Sequence, residues 1–157
     1  MKVQDVMVRT AACCRPETNL GEAVEILWNR NCGIIPVVDA SQRVTAIVTD
    51  RDLCVALGTR NRLPGDITVG EVAKGTAYCC QEQDNLETAL RTMAERQVRR
   101  LPVVNKDGIL QGILSMDDVV LHAETSTELS NTDIIRTLKR IYGPQLPQVR
   151  EAMAATV

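Results

Sequence analysis

The chain has 157 residues, of which 45% are hydrophobic and 24% are charged, and its formal net charge is −2. This balance is typical of a globular protein and lacks the concentrated basic face that a nucleic-acid-binding protein needs. No apolar run approaches the roughly 18 residues of a membrane span. We therefore expect neither a nucleic acid nor a membrane as a partner.

The first ten residues, MKVQDVMVRT, are interrupted by the charged side chains of Asp5 and Arg9. They lack the apolar stretch of a signal peptide. Six cysteines in a chain of this size, without an export signal, indicate reduced thiols rather than a disulfide framework. We expect a cytoplasmic protein.

An internal repeat organises the sequence. Residues 3–53 align without a gap on residues 69–119 at a constant offset of 66, and 15 of the 51 aligned pairs are identical. A gapless match of this length indicates an internal duplication. Two copies are too few for a solenoid, so we expect a pseudo-twofold pair.

Each copy begins with a predicted strand and helix. A short strand at residues 12–15 (78–81 in the second copy) precedes a helix with apolar residues at i, i+3, i+4 and i+7. The first helix is expected to have a weaker N-terminal cap, supplied by Thr18 or Asn19. The second is expected to begin at Asp84, with Glu87 completing a capping box. The apolar helix positions are Leu20, Ala23, Val24 and Leu27, and then Leu86, Ala89, Leu90 and Met93.

Two further strands and a helix complete each copy, so each copy reads β-α-β-β-α. An apolar strand at residues 34–38 (101–104) contains a proline, which predicts a sheet edge or a bulge because proline cannot donate to the ladder. After a polar turn, the next strand at residues 44–48 (110–114) leads into a helix that opens at Thr49 (Ser115).

The repeats suggest four segments. We predict repeat units at residues 1–57 and 69–122, a polar linker rich in glycine and proline at 58–68, and a C-terminal extension at 123–157.

The extension contains one predicted amphipathic helix, capped by Asn131 or Thr132. We expect it to pack back on the repeats or to form a dimer contact, and we expect the same of Trp28. The apolar positions of the helix are Ile134, Ile135, Leu138 and Ile141.

The end of each copy carries a motif. An apolar-Pro-Val-Val strand and a turn are followed by Gly-apolar-apolar-Ser/Thr-x-x-Asp, which copy two matches from Gly112 to Asp118, whereas copy one has Ala46 in place of the glycine. These motifs resemble the CBS domain pair, or Bateman module, and in particular its small stand-alone bacterial members. The resemblance implies an α/β (α+β) fold with tandem β-α-β-β-α repeats about a pseudo-twofold axis, followed here by a C-terminal helix.

The resemblance also implies a function. CBS pairs bind adenosyl ligands, AMP or ATP first, with ADP, NAD and S-adenosylmethionine possible, and they act as regulatory modules without catalysis of their own. Such pairs usually form homodimers that contain four CBS repeats. We therefore expect an adenine-nucleotide energy sensor that acts on a separate protein, whose identity the sequence does not reveal.

The residues at the motif ends suit a nucleotide. Thr49 with Asp52, and Ser115 with Asp118, place a hydroxyl and a carboxylate one helical turn apart. The carboxylate can accept two hydrogen bonds from a ribose diol, and the helix N-terminus favours a phosphate. The same side chains would serve equally well as plain helix caps, so the residues alone leave both interpretations open.

Family resemblance implies two clefts, each combining residues of both repeats. Arg51, Arg99 and Arg100 are the expected phosphate ligands. Asp117 occupies the position equivalent to Arg51, so we expect the first cleft to bind a charged nucleotide more tightly. The first cleft would combine Thr49, Arg51 and Asp52 with Asp84, Ala89, Val98 and Arg99, and the second would combine Ser115, Asp117 and Asp118 with Thr18, Ala23, Cys32 and Gly33.

The alternative function is a thiol-based metal or redox protein that uses Cys13, Cys14, Cys79 and Cys80. Adjacent strand residues point to opposite faces, and zinc sites usually have C-x₂₋₄-C spacing, so neither pair chelates easily. We expect Cys14 and Cys80 to face the core and the other two to lie on the opposite face, where they could line a cleft and touch a ligand. An enzyme is disfavoured because the sequence shows no Ser-His-Asp set or P-loop, and its one histidine, His122, reads as a surface residue.

Overall fold

A computed structural model describes residues 1–73, 75, 77–123 and 130–143 of the chain. The predicted order of elements is confirmed, except that the first strand of the first repeat is reduced to a single bridge between Cys14 and Val37, and that a short helix at Val69–Val72 was not predicted. The first repeat contains α1 (Leu20–Asn29), β1 (Ile34–Val38), β2 (Val44–Thr49) and α2 (Asp50–Thr59). After α3 (Val69–Val72), the second contains β3 (Cys80–Gln81), α4 (Leu86–Arg96), β4 (Arg100–Val104), β5 (Leu110–Ser115) and α5 (Met116–Ala123), and α6 (Asn131–Tyr142) follows.

The sheets are small, and both repeats contain the same antiparallel pair of strands. β1 pairs antiparallel with β2, and β4 pairs antiparallel with β5 and parallel with β3. The register shifts directly after Val37 in one sheet and after Val103 in the other, one residue beyond each strand proline. The irregularity that the prolines predict is therefore present in both copies.

The helix caps differ in part from the predictions. Asn85, rather than Asp84, caps α4, and its side chain accepts the N–H of Glu87 at 3.1 Å. Asp84 lies one residue too early, and its carboxylate instead accepts the N–H of Gln81 at 2.7 Å, closing the preceding turn. Ser130 caps α6 in place of the two predicted residues.

Hydrogen bonds between the repeats show the pseudo-twofold relation directly. The N–H of Val44 donates to the carbonyl of Gly108, and the N–H of Leu110 donates to the carbonyl of Gln42, both at 3.1 Å. Because the repeats are offset by 66 residues, these are the same bond with the two repeats exchanged.

Each of the segments that lead into the two repeats, which include residues 3–8 and 67–69, packs on the other repeat. The sequence did not predict this exchange. The N–H of Val3 donates to the carbonyl of Asp84 at 3.0 Å, and the equivalent N–H of Val69 donates to the carbonyl of Thr18 at 2.8 Å. Each leading segment therefore packs on the other repeat. Val3, Val6 and Met7 lie in the core of the second repeat, and Ile67 and Val69 lie in the core of the first.

Helix α6 packs back on the second repeat, one of the two roles expected of it. Ile134 and Ile141 are buried in the second core, and Leu138 packs against it. The predicted apolar stripe is wrong at Ile135, which is 53% exposed, while Thr137 is buried. Throughout the described ranges, none of the helices has the length and apolar character needed to cross a membrane.

Candidate functional site

The start of α2 and the start of α5 carry the same capping geometry. The carboxylate of Asp52 accepts the N–H of Thr49 at 2.9 Å and its hydroxyl at 2.7 Å, and the N–H of Asp52 donates back to that hydroxyl at 3.2 Å. Ser115 and Asp118 repeat the arrangement, with 3.0 Å and 3.1 Å for the two backbone bonds. One carboxylate oxygen of each aspartate is thus engaged in its own helix cap.

A cavity of about 370 Å³ opens beside the start of α2, and we name it the Thr49 cleft. The first repeat supplies the strand ends and the helix start, and the second supplies the turn between α4 and β4. The structure brings six of the predicted residues together here, namely Gly33, Thr49, Arg51, Val98, Arg99 and Arg100.

A second cavity of about 430 Å³ opens beside the start of α5, and we name it the Ser115 cleft. It brings together Ser115, Asp117, Asp118 and Cys32, all of which were assigned to this cleft from the sequence. Gly33, assigned to the same cleft, instead lines the Thr49 cleft.

The two clefts are images of each other under the internal pseudo-symmetry. Thr49 and Ser115 are equivalent positions, and Ile47 lines the Thr49 cleft where Ile113 lines the Ser115 cleft. Gln97 and Asn31, the equivalent residues that end α4 and follow α1, both have a positive φ, 53° and 47°. This left-handed conformation turns the chain from α1 into β1 in the first repeat and from α4 into β4 in the second.

Five predicted site residues line neither cleft. Ala23 and Ala89 are buried in the two cores, at 0% and 1% exposure. The hydroxyl of Thr18 accepts the N–H of Arg15 at 3.1 Å, and Asp84 closes the equivalent turn of the second repeat. Asp52 is held in its helix cap. These five residues therefore serve the two cores, two turns and a helix cap.

The electrostatics of the two clefts differ. Arg51, Arg99 and Arg100 line the Thr49 cleft with one carboxylate, that of Asp50. The Ser115 cleft is lined by two arginines and two carboxylates, and Arg100 lies between the clefts with its Nη2 3.3 Å from the carboxylate of Asp117. The Thr49 cleft therefore carries the excess positive charge.

Helix α6 supplies residues to the Thr49 cleft that the sequence did not predict. Ile141 and Tyr142 line it, and Arg99 Nη1 donates to the hydroxyl of Tyr142 at 3.4 Å. This hydrogen bond raises the pKa of Arg99 above its ordinary value. The repeat alignment offers no signal for this contact, because α6 lies outside both copies.

A glycine is required at position 112 because another segment of the chain packs closely against it. A Cβ at this position would collide with the carbonyl oxygen of Val8, which belongs to the leading segment. Val8 pairs with Ile113 through two hydrogen bonds of 2.9 Å and lines the Ser115 cleft. Ala46, at the equivalent position of the first repeat, is buried and does not line the Thr49 cleft.

The two cysteines of each pair differ in burial as predicted, since Cys14 and Cys80 are buried and Cys13 and Cys79 are partly exposed. Cys14 and Cys80 are buried in the two cores, and burial raises the pKa of each to about 12. Cys13 lines a separate cavity beside α1 rather than either cleft. Within the described residues, no group of three or more His, Cys, Asp or Glu side chains could hold a metal ion, so the thiol-based metal protein gains no support.

A comparison with known protein families matches the same two repeats. The family model of the CBS domain matches residues 3–59 and 64–124. The CBS domain-containing protein YhcV of Bacillus subtilis is 30% identical over 120 residues, which cover 76% of this chain and 84% of that protein. Hypoxic response protein 1 of Mycobacterium tuberculosis is 26% identical over 141 residues, covering 90% of this chain and 94% of that protein.

Solved structures share the fold. A structure of Hypoxic Response Protein I with two coordinated zinc ions has a TM-score of 0.71, at 26% identity, and covers 78% of this chain and 98% of that one. The structure of CBSX2 in complex with AMP has a TM-score of 0.69 at 30% identity, and covers 79% of this chain and 96% of that one. With both repeats matched by the family model, the chain belongs to the CBS domain family, and its two repeats form a CBS domain pair.

Proposed function

We propose that the chain is a regulatory module that binds an adenine nucleotide in the Thr49 cleft and signals to a separate protein. The observation that carries this proposal is the grouping of three arginines at the N-terminal end of α2. Guanidinium groups and the positive end of a helix dipole both favour a phosphate. The AMP found in CBSX2, a protein of the same fold, supports this ligand class.

Each part of a nucleotide has a suitable surface in the cleft. Arg51 and Arg99 are exposed at its mouth, where they would bind the phosphate. The apolar side chains of Ile47 and Val98 would pack on the base. Asp50 lines the cleft, whereas Asp52 does not, so the carboxylate of Asp50 would accept hydrogen bonds from the ribose.

An exposed helix face supports a homodimer with four repeats as part of this proposal. Trp28 is 85% exposed and Val24 is 40% exposed on α1, beside a cavity of about 630 Å³ between α1 and α2. The equivalent residues of α4, Ala94 and Leu90, are buried, and α6 packs against that helix and against α5. We infer that the open face of the first repeat pairs with the same face of a second copy.

Regulation requires a ligand that distinguishes two states of the module. A nucleotide that binds one arrangement of the repeats or of the dimer more tightly shifts the population toward it. The proposal contains no catalytic step, in keeping with the regulatory role general among CBS pairs. The partner protein would respond to this change in the arrangement of the repeats or of the dimer.

Thermal unfolding tests the proposal. We would screen AMP, ADP, ATP, NAD and S-adenosylmethionine, and a ligand at about 100 times its Kd should stabilise the fold by about 2.7 kcal/mol. For a chain of this size that corresponds to a rise in Tm of roughly 5–10 °C. Arg51→Ala and Arg99→Ala should reduce the rise. Arg91→Ala, an exposed arginine on α4, is the matched control. No rise with any of the five ligands would refute the proposal.

A further inference from the structure

Helix α6 ends inside the Thr49 cleft although it lies outside the residues that the family model matches. That match ends at residue 124, whereas α6 spans Asn131–Tyr142. Ile141 is buried against the second core, and Tyr142, the last residue of the helix, is 64% exposed at the cleft. The wall that α6 supplies is therefore a feature of this chain in addition to its two repeats.

The last turn of α6 is joined to the segment that carries Arg99. Arg99 Nη1 donates to the Tyr142 hydroxyl at 3.4 Å, and its guanidinium carbon lies 5.9 Å from the centre of the Tyr142 ring. Two residues earlier, Gln97 Nε2 donates to the carbonyl of Arg140 at 3.5 Å. The residues that enter the cleft from the second repeat are thus held by the end of α6.

Among the described residues, Tyr142 is the only aromatic one that lines either cleft. The chain contains one tryptophan, two tyrosines and no phenylalanine. Trp28 lies on the open face of α1, and Tyr78 lies under the guanidinium group of Arg96, 4.6 Å from its ring centre. Tyr78 therefore offers an internal control of the same residue type, also beside an arginine.

We propose that Tyr142 is a ligand-responsive residue of the Thr49 cleft, because its hydroxyl and a nucleotide phosphate compete for the guanidinium group of Arg99. This inference rests on the proposed function of the cleft. A phosphate oxygen is charged and accepts a stronger hydrogen bond from arginine than a neutral phenol does. Phosphate binding takes Arg99 from Tyr142 and loosens the end of α6, so that occupancy of the cleft is transmitted to the C-terminal helix.

Fluorine NMR on protein labelled with 3-fluorotyrosine tests the competition. The two tyrosines give two resonances, which Tyr78→Phe assigns. AMP is the probe, and its binding is followed in parallel by calorimetry. We expect the Tyr142 resonance to move during the AMP titration while the Tyr78 resonance stays in place. Arg99→Ala should move the Tyr142 resonance without any ligand.

The affinity of variants gives a second readout. Tyr142→Phe keeps the ring and removes the competing acceptor, so AMP should bind about two- to three-fold more tightly, the low end of what one hydrogen bond contributes. Tyr78→Phe should bind AMP like the parent protein.

Outcomes separate this inference from the proposed function. If AMP binds but the Tyr142 resonance does not move, or if Tyr142→Phe binds AMP equally or more weakly, the competition is overturned and the nucleotide site stands. If calorimetry detects no AMP binding, the proposed function is overturned for AMP, and this inference is overturned with it.

Discussion

The charge difference between the two clefts can be reversed by exchanging one pair of equivalent residues. Arg51 lines the Thr49 cleft where Asp117 lines the Ser115 cleft. We predict that Arg51→Asp weakens AMP binding at the Thr49 cleft and that Asp117→Arg strengthens it at the Ser115 cleft. In the second variant Arg100 also loses its ion-pair partner and becomes available to a phosphate.

The size of the effect follows from exposure. Both side chains are exposed, so their interaction with a phosphate is close to the value in water, about 1 kcal/mol for two unit charges at 4 Å. Each substitution changes the side-chain charge by two, which corresponds to roughly 1–2 kcal/mol. We expect a change of about 5- to 30-fold in Kd, in opposite directions for the two variants.

Calorimetry of AMP binding measures both affinities and the number of sites. Arg91→Asp, which makes the same charge change on the exposed side of α4, is the control and should have little effect. The differences should shrink in about 1 M salt, where the screening length falls to about 3 Å. If Arg51→Asp and Asp117→Arg change the AMP affinity in the same direction, or neither changes it, the charge argument is refuted.

Three further predictions concern the fold and the dimer. Gly112→Ala should lower the free energy of unfolding in urea by about 1–3 kcal/mol. The added methyl group displaces Val8 and breaks the two hydrogen bonds between Val8 and Ile113. Ala46→Gly, the equivalent change in the first repeat, should cost about 1 kcal/mol or less, and equal costs would contradict the packing argument. Because the pKa values of Cys14 and Cys80 are raised to about 12, both buried thiols stay protonated at pH 8 and should resist a thiol reagent until the protein unfolds. Replacing Trp28 by aspartate should dissociate the proposed homodimer in sedimentation, and an unchanged mass would exclude this face as the interface.

Features set by adjacent residues could be predicted from the sequence. The strand prolines, the polar turns and the helix cap at Thr49 depend on neighbours along the chain, and all of them are present in the structure. The error at Asp84 is also local, because Asp84 and Asn85 can both cap a helix. Only the path of the chain decides which of the two lies at the first turn.

Features set by packing between distant segments could not be predicted. Nothing in the composition of the leading segments shows that Val3 packs on the second repeat and Val69 on the first. The apolar period of α6 predicted a buried stripe but not its exact rotation, so Ile135 is exposed where Thr137 is buried. The place of Tyr142 in a cleft depends on where that helix docks, which a repeat alignment does not contain.

The duplication has preserved one set of contacts and changed another. Backbone hydrogen bonds such as those of Val44 and Leu110 recur at equivalent positions, because the fold of each repeat depends on them. At the cleft mouths the equivalent residues differ in charge, with Arg51 opposite Asp117, and only the Thr49 cleft is lined by α6 among the described residues. A module that needed two identical sites would have no reason to lose their symmetry there. The divergence therefore favours one phosphate-binding cleft that reports through α6, with the second cleft adapted to a less charged ligand or to a structural role.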